Sequence, residues 1–208
     1  MRRTPPRSAG RLLVAAAVLA LAPACSGAEA GPPPDRSPVE SHIAAAPPAD
    51  AVVAPAEPTQ IELRTPAGTT YLSSPLHPEE LMRGGPGGQR LDPVDERPVW
   101  WGESGLPGTG TRQTVVVVGH NYARRDAPFR ALRVVEPGDR VVLRTTAGVL
   151  EYAVETAGPL PKGSLLGAHE LRESVAGRLL LANCDVREGE STDDNYVVVA
   201  QLVRPVGT

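Results

Sequence analysis

Two uninterrupted apolar runs dominate the hydrophobic pattern, and each ends on a reactive side chain. In GRLLLANCDV, residues 177–186, the run from Leu179 to Ala182 passes into Asn183, Cys184 and Asp185. In QTVVVVGHN, residues 113–121, four valines lead to Gly119 and His120. Short apolar runs bounded by turn formers predict buried strands, so a thiol and an imidazole are each delivered to a strand mouth. Paired or nearly paired in one sheet, the two strands would bring Cys184 and His120 together, the minimum equipment for covalent acyl chemistry.

The rest of the pattern is also rich in strand signals. Ile61 and Leu63 alternate with polar residues, a Pro-Ala-Gly turn follows, and a second extended piece surrounds Tyr71 and Leu72. RVVLRTTAGVLEYAVETAGPL predicts a two-stranded ribbon turning at Ala147-Gly148, and NYVVVAQLV predicts a last strand. Helical signals are short: an irregular or helical piece in NYARRDAPFRAL and a short helix around Leu165 to Arg172. Short connections and many strands favour a mostly antiparallel barrel or curled sheet over repeated βαβ units.

The N-terminal region has a different character. Residues 1–30 combine a basic start, the apolar LLVAAAVLALA and a small-residue stretch, which reads as an export signal. Ala22-Pro23-Ala24-Cys25 is an imperfect lipobox, making Cys25 a candidate for lipidation and membrane tethering; cleavage at an Ala-x-Ala site would instead release a secreted form. Residues 31–58, dense in proline and alanine, read as an extended linker, and residues 59–208 as the folded domain. His42 falls in the linker and is read as an ordinary polar residue.

Composition narrows the chemistry. A net charge of -3 over 208 residues argues against a nucleic-acid partner. With Cys25 in the targeting segment, Cys184 is left as an unpaired thiol. A single remaining cysteine and scattered histidines without an HExxH pair argue against a metal site, and nothing calls for a cofactor. DVREGESTDD, with Asp185, Glu188, Asp193 and Asp194, lacks calcium-loop spacing and reads as a solvated acidic loop.

Cys184 is the candidate nucleophile and His120 its activating base, because a nearby imidazolium favours the thiolate. Acyl transfer also needs donors for the developing oxyanion; Arg187, close in sequence, is the candidate. Arg124 and its neighbour Arg125 adjoin the His120 loop and read either as ordinary surface residues or as partners of a carboxylate-bearing ligand. His77 lies in an early loop and His169 in the short helix, and neither is assigned chemistry.

In the order TVVVVGHN, PFRAL, EPGDRVVL, AGPLPKGS, LLLANCD and DNYVVVAQL, these segments resemble an actinobacterial sortase domain of the class F-like branch, over about Thr59 to Val203. The resemblance implies a sortase-like β-barrel with short peripheral helices. It further implies that Cys184 attacks the threonyl carbonyl of an LPxTG-like sorting signal on a secreted protein, with His120 assisting. The acyl-enzyme then passes to an amine of the cell wall or of another protein, at the cell surface. Two departures accompany it. Asn183 stands where the family has threonine, and the downstream arginine is replaced by Asp193 or Asn195, depending on loop alignment. Asn183, Asn195 and Arg124 are therefore expected to contact substrate. Three readings stay open: Arg187 replaces the missing donor, Asn195 and backbone groups carry the stabilisation, or the domain is a noncatalytic peptide-binding or structural module. An enzyme acting mainly by hydrolysis is a further alternative. Whether Arg187 enters the Cys184/His120 cleft separates them.

Overall fold

The computed structural model describes residues 33–43, 51–83 and 90–203. The export segment, Cys25 and part of the expected linker lie outside them. Eleven strands follow in chain order: β1 (Pro58–Arg64), β2 (Thr70–Pro75), β3 (Pro78–Glu79), β4 (Met82–Arg83), β5 (Arg90–Leu91), β6 (Val99–Trp101), β7 (Val115–Val118), β8 (Arg140–Thr145), β9 (Val149–Pro161), β10 (Arg178–Arg187) and β11 (Glu190–Leu202). A 3-10 segment, Pro128–Val134, separates β7 from β8, and two helical turns, α1 (Ser164–Gly167) and α2 (His169–Arg172), separate β9 from β10.

Nine strands form one curled sheet in the order β2-β1-β8-β9-β11-β10-β7-β6-β3. The fold is thus mostly β, a curled near-barrel with short peripheral helices, in line with the expected architecture. Its pairings are antiparallel except β10 with β7 and β3 with β6. The concave side holds the main core, where Leu179 and Leu181 of β10 meet Val115 and Val117 of β7, Tyr196 and Val198 of β11, and Phe129 and Leu132 of the 3-10 segment. Strand alternation sends Leu180, Val116 and Val118 to the outer side, into a second apolar cluster with Leu81 and Val99. Trp100 is buried and donates its indole N–H to the carbonyl of Gly105 at 3.1 Å.

The proline-rich stretch expected to be a spacer is extended, but residues 33–43 lie against the barrel. Arg36 pairs with Asp139 and Glu136, and the amide of Val39 donates to the carbonyl of Thr70. Ile43 is buried. Beneath this strap Glu62 of β1 is fully buried although it occupies an outward position of its strand. Its carboxylate accepts from the guanidinium of Arg64, the hydroxyl of Ser41 and the amides of His42 and Ile43.

The acidic stretch expected to be a loop is strand. β10 and β11 continue to Arg187 and Glu190, which face each other across the two-residue turn Glu188-Gly189. Both turn residues have positive φ, 51° and 78°, the geometry that suits the right-handed twist of a hairpin. Between the pairs Cys184–Asn195 and Val186–Ser191 the register shifts, leaving a bulge in β11 at residues 192–194.

Candidate active site

The parallel pairing of β7 and β10 places the two reactive side chains. Leu179 to Ala182 run opposite Val115 to Val118, and the amide of Gly119 donates to the carbonyl of Ala182 at 3.0 Å. His120 and Cys184 each lie two residues beyond the last matched pair, on the outer side of the sheet. Cys184 is a free, exposed thiol, and His120 is half-buried. Both line one cavity of about 310 Å³, with Leu91, Pro93, Val118, Leu165, Leu166 and Ala182 as apolar walls and Asp92, Lys162 and Asn195 as polar ones. A larger cavity, about 570 Å³, lies between the strap and the 3-10 segment and is lined by neither Cys184 nor His120, so size does not locate the chemistry.

Phe129 fixes the ends of both strands. Its ring packs so close to Gly119 that a Cβ there would come within 2.8 Å of it, which is why glycine precedes His120. Its carbonyl accepts a 2.6 Å hydrogen bond from Nδ2 of Asn183. Asn183, expected to contact substrate, is among the residues lining the cavity, and strand alternation turns its buried side chain inward, away from the neighbouring Cys184. The residue before the cysteine therefore ties β10 to the 3-10 segment. Replacing Asn183 by alanine strands a buried carbonyl, and should cost about 1–3 kcal/mol. The melting temperature is then expected to fall by about 3–8 °C, with Cys184 still open to alkylation. An unchanged melting curve would remove Asn183 from this role.

The imidazole of His120 is held on two sides. Nε2 lies 2.9 Å from the carbonyl oxygen of Pro93, to which it donates when protonated. Its ring stacks on Tyr122 with centroids 5.1 Å apart. Arg125 covers the far face of the layer, 3.7 Å from the Tyr122 ring centroid, and is paired with Glu96 at 2.9 Å. Arg124 is exposed on the same loop, and the stacking contact belongs to its neighbour.

Around the thiol three charged or polar groups converge. Asn195 stands directly across from Cys184 in the β10–β11 ladder. Partial desolvation by the surrounding protein pushes the Cys184 thiol up although it is open to solvent, the Lys162 ammonium pulls it down and Asp92 adds to the upward push, with a net rise above the ordinary cysteine value. Arg187 is directed elsewhere. Its Nε donates to Asp185 at 2.9 Å and its Nη2 to Asp194 at 3.4 Å, because strand alternation puts Arg187 on the same face as the fully buried Asp185 carboxylate. Arg133 of the 3-10 segment approaches the same carboxylate at 3.6 Å. Asp193 offers its backbone carbonyl to the amide of Lys162.

Tyr122, Pro93, Asp92 and Lys162 were not singled out in the sequence. Only Lys162 carried a compositional signal, as the chain's one lysine among 21 basic residues. Among the described residues no three of His, Cys, Asp and Glu are grouped to hold a metal ion, and no helix is long and apolar enough to cross a membrane.

A search of curated proteins gives no match. Among solved structures, the chain is similar to a mutant of sortase C-1 from Streptococcus pneumoniae, with 13% identity, a TM-score of 0.52, and coverage of 72% of this chain and 68% of that one. It is also similar to Streptococcus agalactiae sortase C1 in complex with MTSET, with 14% identity, a TM-score of 0.51 and 72% of each chain covered. Against sortase A from Corynebacterium diphtheriae the identity is 19% and the TM-score 0.48, over 70% of this chain and 61% of that one. At these identities the likeness to the two streptococcal structures speaks to the fold. The Sortase domain family model matches residues 79–203, more than half of the chain and both strand ends of the site. The chain belongs to the sortase family.

Proposed function

We propose that the chain is a class F-like cysteine transpeptidase that acts outside the cytoplasm on an LPxTG-like sorting signal. The observation that carries this is the shared cavity: a free thiol and an oriented imidazole leave adjacent parallel strands at the same level and face apolar walls able to seat a peptide side chain. In the reaction, the Cys184 thiolate attacks the threonyl carbonyl. The carbon–nitrogen bond to the following residue breaks, the departing amine takes a proton from the His120 imidazolium, and a thioester remains. An incoming amine of the cell wall or another protein then attacks the thioester, yields a proton to His120, and frees the thiolate, which restores the starting pair. Water in place of the amine gives hydrolysis. Lipidation at Cys25 would tether the enzyme to the membrane.

The orientation of Arg187 toward Asp185 and Asp194 favours a second reading, a noncatalytic peptide-binding sortase domain. Incubation with an LPxTG-like peptide library and varied amines, followed by intact-mass measurement, decides between them. A covalent adduct on Cys184, missing from Cys184→Ala, is the expected result. A folded protein that forms no adduct with any peptide sinks the transpeptidase and leaves the binding module. Release only as the free acid marks a hydrolase.

A further inference from the structure

We propose that Lys162 is the cationic partner of Cys184, the residue that stabilises negative charge at the thiol in this chain. The proposal rests on the reading of Cys184 as nucleophile. Four observations carry it. Lys162 lines the same cavity as Cys184 and His120, and is the lysine or arginine in that wall among the described residues. Its position is built by the sheet: Cys184 pairs with Asn195, Asn195 pairs with Leu160 on β9, and Lys162 follows two residues later, as β9 turns into α1. Its ammonium donates to the carbonyl of Thr192 and its amide to the carbonyl of Asp193, both in the bulge of β11. Thr192 is a neutral acceptor, so this hydrogen bond does not offset the positive charge that Lys162 brings to the cavity it shares with Cys184. Finally, a chain that otherwise uses only arginine as its permanent cation places its one lysine here.

The electrostatics agree with this geometry. The groups that face the thiol are Asp92 from the loop after β5, His120 from the end of β7, Lys162 from the end of β9 and the neutral Asn195 from β11. Asp185 and Arg187 on β10 are paired with each other on the opposite side of the strand. Burial and Asp92 both disfavour the thiolate, and Lys162 opposes them. The two side chains that replace the expected arginine cannot do this, since Asn195 is neutral and Asp193 is acidic.

Iodoacetamide alkylation of the intact protein across pH reads the thiolate directly and needs no peptide. Lys162→Gln is expected to move the midpoint upward by about half a unit to one unit, slowing alkylation about three- to tenfold at neutral pH. Lys162→Arg should restore the wild-type profile, and Arg187→Gln should leave it in place. A Lys162→Gln profile that superimposes on wild type overturns the proposal, as does an equal shift in Arg187→Gln. The two levels fail separately. A shifted profile without any peptide adduct sinks the sorting reaction and keeps Lys162 as the partner of the thiol. A peptide adduct with an unshifted profile sinks Lys162 alone.

Discussion

His120→Ala is expected to slow formation of the Cys184 peptide adduct by about 10²–10⁴-fold, the range for losing a positioned acid–base group. The size follows from how the ring is held. With Nε2 against the carbonyl of Pro93 and one face on Tyr122, the ring has little freedom to turn. When Nε2–H donates to that carbonyl, Nδ1 is the nitrogen left to accept a proton. Among the described residues no other titratable side chain in the cavity wall combines this orientation with a proton that can be given to a departing amine: Asp92 is acidic, and the Lys162 ammonium donates to Thr192. The time course of intact mass measures the effect, with the melting temperature as the check on folding. Adduct formation at the wild-type rate would exclude His120 from the reaction.

Glu62→Ala should produce the largest loss of stability, about 3–5 kcal/mol, because it leaves a largely buried guanidinium and two backbone amides without their acceptor. A drop of about 6–15 °C in melting temperature is expected, together with faster proteolysis within residues 33–43. A change under about 2 °C would mean the strap is not held through this carboxylate. Acid should act through the same group. Burial alone would raise the Glu62 carboxyl, but Arg64, Ser41 and the amides of His42 and Ile43 outweigh it and hold it below the usual value of 4.5. Because the unfolded chain binds this proton more readily, the contribution is complete above the unfolded value and is lost as pH falls through the lower folded one. Loosening of the strap below about pH 4 should therefore be weaker in Glu62→Ala than in the wild type, with Arg36 still tying the strap to Glu136 and Asp139 in both.

The strand ends that carry Cys184 and His120 were legible because each is a run of apolar residues stopped by polar ones, a signal that survives any packing of the surroundings. That the two strands are parallel neighbours was not legible, since nothing local specifies it. The strap was hidden for a different reason. Its anchors are single residues, Arg36, Ser41 and Ile43, in a proline-rich stretch with no periodicity, and Glu62 occupies what reads as the solvent position of an alternating strand. Asn183 shows what motif comparison leaves out, because its position beside Cys184 suggested substrate contact but gave no sign of the bond its side chain makes to the carbonyl of Phe129. The hairpin of β10 and β11 escaped notice because its outer half is exposed and acidic, and its turn is Glu-Gly rather than the more readily recognised Asn-Gly.

The register break in β11 separates two mechanical regimes along one hairpin. On the barrel side, Cys184 and Asn195 are locked to the continuous ladder that runs through Tyr196 to Gln201. On the tip side, Val186, Arg187, Glu190 and Ser191 form a short ladder with its own register. Residues 192–194 absorb the mismatch, so the length of the tip and the position of the nucleophile are set independently. The hairpin end should therefore accept a grafted segment at Glu188-Gly189 with the thiol left at its fixed height above the sheet.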